Sequence, residues 1–362
     1  MIKQITIKGY KSIKDAEVEL APINILIGGN GVGKSNFISV FSLVRNMYNR
    51  HLQEYVIKKG GADALLYMGR KVTQNMIIQL AFSNNNEIEA YNRFALKLTE
   101  VQGRLYIQET KTSFKSGGLW HEQKYDSYTE ESDFKDKNYS QAYWVNSFLR
   151  QFDVYHFEDT GDMSPMKGFC DLDDNRRLRT NGANIAAYLY WLHEKHPNNY
   201  LLIERTVSSV SPFFAAFDLQ PDRLNDRKIE LRWRQCGHDD VYFNAYQLSD
   251  GTLRFICLVT LLLQPELPKT ILIDEPELGL HPIAINKLAA LMKKASMKSQ
   301  IIVSTQSVSL VDNFAPSDIV VVDRKDDAAV FKRLNESEMA QWLKEYSLGE
   351  IWEKNVFGGL PQ

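Results

Sequence analysis

Cysteine is scarce: Cys170, Cys236 and Cys257 are the only three in 362 residues, and their spacing matches no metal-ligand pattern. An odd, scattered set of thiols excludes a disulfide framework and suits a reducing compartment. No apolar run approaches the roughly 20 residues a membrane-spanning helix needs. The first residues, Met1-Ile2-Lys3-Gln4, read as a strand without the apolar segment of a signal peptide. The expectation is therefore cytoplasmic, with no membrane partner. Charge of one sign is lacking too: 43 Lys and Arg against 45 Asp and Glu leave a net charge of −2. Any nucleic-acid contact would rest on a local patch, not a global basic field. There is no internal repeat and no heptad run long enough for a coiled coil. What is present, 44% hydrophobic residues, is enough to bury a large core.

The most informative segment is Gly28-Gly29-Asn30-Gly31-Val32-Gly33-Lys34-Ser35. It follows the apolar strand Ile23-Asn24-Ile25-Leu26-Ile27 and opens onto Phe37-Ile38-Ser39-Val40-Phe41, which reads as a helix. Strand, glycine loop and helix are the setting in which backbone N–H groups curl around a triphosphate. Glycines permit positive φ and close backbone approach, and the helix N-terminus adds favourable partial charge. Gly28, Asn30, Gly31 and Gly33 would form the cradle, with Asn36 just beyond it. Lys34 would reach the β- and γ-phosphates and Ser35 would hold Mg²⁺. A glycine turn that merely mimics the motif is the alternative, and both flanks argue against it. The segment predicts ATP and Mg²⁺ as cofactors.

A second motif, Ile271-Leu272-Ile273-Asp274-Glu275, is an apolar strand ending in two acids. Its continuous apolar run implies burial on both faces, as in a parallel sheet. The first acid, Asp274, is placed to hold Mg²⁺. The second, Glu275, is the candidate general base for an attacking water. Two acids at a strand end are common on surfaces. The phosphate loop upstream and Pro276-Glu277-Leu278-Gly279-Leu280-His281-Pro282 downstream favour the catalytic reading.

The third motif, Leu248-Ser249-Asp250-Gly251-Thr252-Leu253-Arg254, lies about 25 residues before Asp274 and opens an apolar helix. It resembles the ABC-family signature, with Asp250 where transporters usually have glycine. In that family the signature Ser and Gly, here Ser249 and Gly251, face the γ-phosphate bound by the opposite subunit. A hydroxyl, an amide and a helix N-terminus all donate toward an anion, although capping alone would also explain Ser249. The family pattern continues in Ile301-Ile302-Val303-Ser304-Thr305-Gln306-Ser307, which puts Gln306 where most ABC ATPases place a switch histidine. Glutamine can hydrogen-bond phosphate or water but cannot shuttle a proton as imidazole does. A strand-end glutamine with no catalytic part is the alternative reading.

With these motifs together, the chain resembles a stand-alone AAA-type ATPase of the AAA_15/AAA_21 kind, a group related to RecF, the SMC proteins and the ATPase half of OLD-family nucleases. Tyr155-His156-Phe157-Glu158-Asp159-Thr160, Asn181-Gly182-Ala183-Asn184-Ile185-Ala186-Ala187 and Ser347-Leu348-Gly349-Glu350-Ile351-Trp352 also resemble one soluble bacterial subgroup. The resemblance spans nearly the whole chain. It implies an α/β fold of the ABC-type P-loop ATPase class: a mixed core sheet, an N-terminal antiparallel β subdomain and an inserted helical signature lobe. It also implies a homodimer or higher homo-oligomer that sandwiches ATP, and a separately encoded effector in antiviral defence or DNA repair. Tyr10 and Lys11 sit where the RecF and SMC group has an aromatic-basic turn near the nucleotide. Lys11 is accordingly a candidate phosphate contact, with a solvated lysine as the equal alternative. The pattern departs from transporters in two ways. Some 214 residues separate Ser35 from Ser249, and no clear Q-loop glutamine appears, Gln74 and Gln79 being weak candidates.

The organisation expected is one ABC-type ATPase domain over 1–362. Within it fall an ATP-binding lobe over 1–160, a helical lobe over 161–263 and a sheet-completing segment over 264–362. Strands are expected over 1–8, 15–20, 77–82, 87–98 and 104–110, split by Asn84-Asn85-Asn86 and Gly103, with a return to the core sheet over 151–157. Residues 113–138 read as an exposed polar excursion. A helix over 184–194 follows Gly182 and ends at Pro197. The segment after residue 307 supplies strands over 319–323 and 330–333, a helix over 336–346 and a short tail over 349–352. That leaves no room for an added nuclease domain.

Other clusters carry less. His193 and His196 have helical spacing but no third metal ligand. Asp171-Leu172-Asp173-Asp174 reads as a solvated acidic loop with no strand around it. Arg176-Arg177-Leu178-Arg179 is the best basic cluster, either an ordinary charged surface or a contact for a nucleic-acid backbone or a partner's acids. Two function classes remain: an ATP-hydrolysing dimeric switch, and a nucleotide-gated DNA- or protein-binding clamp with little turnover. A transporter ATPase subunit is the weaker third.

Overall fold

A computed structural model describes residues 1–83 and 92–359. The expected turn at Asn84-Asn85-Asn86 and the start of the strand expected over 87–98 lie outside the described residues. The chain forms two compact units. One comprises Met1–Val154, Pro268–Leu272 and Ser299–Gln362; the other comprises Tyr155–Leu267 and Ile273–Lys298.

Two sheets build the first unit. The N-terminal sheet runs in the order Ile13–Glu19, Ile2–Tyr10, Asn75–Phe82, Asn92–Val101, Arg104–Ser116, Leu119–Lys124, with every neighbouring pair antiparallel. Period-two alternation sends Ile5 and Ile7, or Phe94, Leu96 and Leu98, fully into the core. The second sheet orders Ala328–Arg333, Ile319–Lys325, Ile23–Ile27, Gln300–Thr305, Thr270–Asp274 and Val154–Tyr155. Ile23–Ile27 is buried at all five positions, between parallel neighbours Gln300–Thr305 and Ile319–Lys325. An antiparallel edge strand, Ala328–Arg333, makes this sheet mixed, as expected. The strand Thr270–Asp274 passes into the second unit after Leu272.

The helix Lys34–Tyr48 places Phe37, Phe41, Val44 and Tyr48 along one buried face. These side chains join a core shared with residues of both sheets. Phe41 meets Phe152 edge-on at 5.4 Å, and Arg45 in the last turn pairs with Asp153 at 3.1 Å.

The second unit contains helices Ile185–Lys195, Pro197–Ser208, Asp250–Leu263 and Pro282–Ser296, with a small antiparallel sheet of Phe214–Phe217, Arg232–Gln235 and His238–Asn244. Helix Asp250–Leu263 is buried continuously from Thr252 to Leu263. Such all-round burial explains why its sequence is nearly unbroken apolar.

Four expectations are corrected. Residues 113–138 are not a loose excursion: the strands Arg104–Ser116 and Leu119–Lys124 extend the sheet as a hairpin. Phe134 is fully buried against Phe94 and Tyr125. Buried Asp126 accepts from Thr110, Ser132 and the Asp133 amide, so a few polar anchors do what an apolar run usually does. Pro197 does not merely end a helix; it opens the next, at the first helical position where its missing N–H costs nothing. The helix expected over 336–346 is broken into Glu336–Met339 and a 3₁₀ turn at Trp342–Lys344. Finally, Asp171 does lie in a strand, Cys170–Asp171, paired with Lys228–Ile229.

Candidate functional site

The glycine loop is shaped by what lies behind it. Gly28 has φ +154°, and a Cβ there would collide with the Val322 carbonyl oxygen; Gly33 has φ +122°, with Ala329 Cβ and Ser12 Oγ each 2.8 Å from where a Cβ would stand. Both positions combine positive φ with close approach, and only glycine meets both demands. Lys34 begins the helix and is 4% exposed. Its ammonium donates to the carbonyl oxygens of Gly28 at 2.7 Å and Gly29 at 2.9 Å, so it is held over the loop. Asn30, Gly31 and Ser35 are exposed at the same turn. The first helical turn carries no acid, which leaves its partial positive charge for an anion.

Asn36 and Lys11 are engaged differently from the cradle. Asn36 Nδ2 donates to Ser12 Oγ at 2.8 Å, bracing the turn behind Gly33. Lys11 has φ +46°, and its amide donates to Leu65 O at 2.9 Å. The Lys11 ammonium donates to Ser39 Oγ at 3.1 Å, and the Tyr10 hydroxyl shares the same Ser39 Oγ at 2.8 Å. Burial, with Lys59 as a second cause, lowers the Lys11 pKa from its ordinary value. Lys11 therefore stands on the helix flank one turn beyond Ser35.

Gln306 emerges directly after the strand Gln300–Thr305, whose last residue pairs in register with Ile27, the residue before the loop. It is exposed. Next to it, Ser307 caps the short helix Val308–Val311 by accepting from the Leu310 amide. The Q-loop candidates fare otherwise: Gln79 is paired in mid-sheet between Thr6 and Ala95, and the Gln74 carbonyl accepts from the Glu100 amide.

In the second unit, Asp274 ends its strand and Glu275 follows at φ +44°. A left-handed glutamate is strained, by about 1–3 kcal/mol, and persists only where its surroundings hold it. Asp274 and Glu275 line a small cleft with Phe157, Glu158, Arg254 and Pro276. A hydrogen bond to His156, chiefly, holds the Glu158 carboxyl below its usual range, with Arg254 assisting.

The signature opens a helix, as expected. Ser249 caps it, accepting from the Thr252 amide at 3.2 Å and sharing a hydrogen bond with the Thr252 hydroxyl at 2.8 Å. The capping reading of Ser249 therefore holds, and the residue is exposed. Asp250 forms an ion pair with buried Lys167 at 3.8 Å. Sequence reasoning missed Arg254. A lone cation inside the run from Leu253 to Leu263 was the available signal, because a buried charge must be satisfied. It is satisfied three times. Nε donates to Phe157 O at 3.0 Å, Nη2 donates to Glu158 O at 2.9 Å, and Nη1 donates to Leu278 O.

Asp171 pairs with Lys228 at 2.8 Å and Asp174 with Arg179 at 2.6 Å. Arg176, Arg177 and Arg179 are exposed while Leu178 is buried. His193 contacts Glu194 at 3.1 Å, whereas His196 packs on Trp191. Among the described residues, no helix is long and apolar enough to cross a membrane.

No curated protein sequence matches the chain. Its fold is that of solved SMC heads. An Smc head bound to the C-terminal winged-helix domain of ScpA shares 16% identity at a TM-score of 0.59, covering 94% of this chain and 99% of that one. A head with an extended coiled coil bound to the C-terminal domain of ScpA, derived from Pyrococcus furiosus, gives 15%, 0.58, 95% and 98%. One from Pyrococcus yayanosii gives 12%, 0.53, 95% and 99%. The likeness gives the fold, that of the ABC-type P-loop ATPase class to which SMC heads belong. The family model described as "AAA domain, putative AbiEii toxin, Type IV TA system" matches residues 23–312, and the chain belongs to that family, AAA_21.

Proposed function

We propose that the protein is an ATP-binding and hydrolysing dimeric switch that acts with a separately encoded partner, in antiphage defence or DNA maintenance. The observation that carries this reading is the glycine loop itself: a fully buried strand, two glycines that tolerate no Cβ, and Lys34 poised over the turn. The donor chemistry fits Mg²⁺–ATP. Exposed Ser35 supplies a hydroxyl and Asp274 a carboxylate, both hard oxygen ligands, while loop amides and Lys34 suit phosphate. The bound ion would neutralise charge on the phosphates. Glu275 is assigned as the general base and Gln306 as the group that orients the water. Ser249 and Gly251 are assigned to the phosphate bound by a second copy, which makes the dimer the competent form. The similar Smc heads bound to ScpA, a separate protein, support a separate partner here.

The clamp reading is kept alive by one observation, that the uncharged Gln306 stands where the strand ends beside the loop strand. The Glu275→Gln variant separates the two. Its amide keeps shape but cannot accept the water's proton, so ATP should trap a dimer with turnover lost. Light scattering with no ATP-dependent mass change in that variant, and no standing oligomer, counts against the switch. Wild-type and Glu275→Gln proteins that dimerise alike with equally negligible turnover support the clamp.

A further inference from the structure

We propose that Arg254 is the positioning residue that ties the signature helix to the loop carrying Glu275, so that engagement of one sets the geometry of the other. This rests on the proposed roles of Ser249, Gly251 and Glu275, and extends them to a residue for which the sequence motifs predict no function.

Arg254 lies in the first turns of helix Asp250–Leu263, just after Gly251, and is 7% exposed. A guanidinium there must place its donors on acceptors or bear a large desolvation cost. All three of its nitrogens do so, and all three acceptors are main-chain carbonyls. Two belong to Phe157 and Glu158, the third to Leu278. Main-chain acceptors mean that the bond fixes backbone position, not side-chain identity. Burial lowers the Arg254 pKa from its ordinary value, opposed by Glu158, Asp250 and Glu277, and the group stays charged.

Leu278 lies three residues beyond Glu275 and is tied to it directly, its amide donating to Glu275 O at 3.4 Å. The Leu280 amide donates to Glu277 O at 2.9 Å, so the turn is short and hydrogen-bonded internally. Its first residue, Glu275, holds a left-handed φ that the surroundings must sustain. The same turn touches the signature a second time, because Gly251 lies against the Gly279 carbonyl. Helix start and acid-bearing turn are thus joined at two points, Gly251 to Gly279 and Arg254 to Leu278. A shift of the helix N-terminus toward a phosphate would be passed through the rigid guanidinium fork to the turn. Lysine cannot replace it, since one ammonium cannot span three carbonyls fixed by two chain segments.

The test compares Arg254→Met, which keeps the packing volume, with Arg254→Lys, which keeps the charge. ATP affinity is measured with a fluorescent ATP analogue, hydrolysis as kcat and KM, and exchange of the amides at 277–280 by mass spectrometry. The expected result is nucleotide affinity within about 2-fold of wild type, kcat lowered by at least 10-fold, and faster exchange at 277–280 in both variants. Exchange is read in the unliganded protein as well. If the wild type hydrolyses no ATP, the parent reading fails, while the exchange data still judge the tie between Arg254 and the turn. Unchanged exchange at 277–280 in a folded variant overturns the proposal, as does kcat at the wild-type level. If both variants lose their cooperative thermal transition, Arg254 is a folding element alone and the proposal falls.

Discussion

Gly251 of the signature lies so close to the carbonyl oxygen of Gly279 that a Cβ at residue 251 would collide with it. The contact gives this glycine a reason to exist before any nucleotide is considered: helix and turn approach at backbone distance. The turn also carries Glu275, so tolerance at position 251 is set by this turn, apart from any contact with phosphate.

Gly251→Ala should therefore force helix and turn apart. Overpacking of this kind costs about 1–3 kcal/mol, read as a lowered Tm, and hydrolysis should fall further than nucleotide affinity. Ser249→Ala provides the comparison: it loses the cap, worth about 0.5–2 kcal/mol, without displacing the turn. Wild-type turnover in Gly251→Ala would show that the close approach is dispensable.

Lys34→Ala should abolish ATP binding or hydrolysis while the fold survives. Lys34 donates to two loop carbonyls, and water can satisfy both once the side chain is gone. Circular dichroism should match wild type, and binding of a fluorescent ATP analogue should be lost. Turnover near the wild-type level in this variant would end the ATPase reading.

What was legible in the sequence follows the strength of local physics. The strand Ile23–Ile27 and the helix Lys34–Tyr48 were visible because a glycine loop punctuates them and their periodicities differ. Asp274-Glu275 and the signature were visible as motifs. What escaped was long-range. Nothing local announces that Phe134, isolated in a polar stretch, meets Phe94, or that Asp126 anchors the same stretch. The distant reach of Arg254 to Phe157 and Glu158 was equally hidden. Asn36 and Lys11 were matched to the site by position in the motif. Their hydrogen bonds to Ser12 and Ser39 depend on the turn between the strands Ile2–Tyr10 and Ile13–Glu19, far from the loop in sequence.

Gln306→His should raise turnover. The residue follows a strand in register with the loop strand, and imidazole adds a proton carrier that titrates near neutrality. Steady-state hydrolysis measured from about pH 6 to 8 should show a pH dependence the wild type lacks. An unchanged rate and profile would assign Gln306 to strand termination alone.

The purified chain should neither cut nor join nucleic acid. The segment most suggestive of a metal-dependent nuclease, Asp171-Leu172-Asp173-Asp174, is occupied otherwise: Asp171 pairs with Lys228, and Asp174 with Arg179. In the polar stretch, Glu122 pairs with Lys111, and Glu109 with Lys124, as cross-strand ion pairs that suit a solvated sheet face. Among the described residues from 308 to 359 are the two strands that complete the mixed sheet and several short helices. Output should then pass to a partner, and the exposed Arg176, Arg177 and Arg179 around buried Leu178 offer a basic surface for one. Incubation with DNA or RNA, Mg²⁺ or Mn²⁺ and ATP should leave the substrates intact. Cleavage that disappears in Asp171→Asn or Asp174→Asn, with Asp274 and Glu275 untouched, would overturn this and make the chain an effector in its own right.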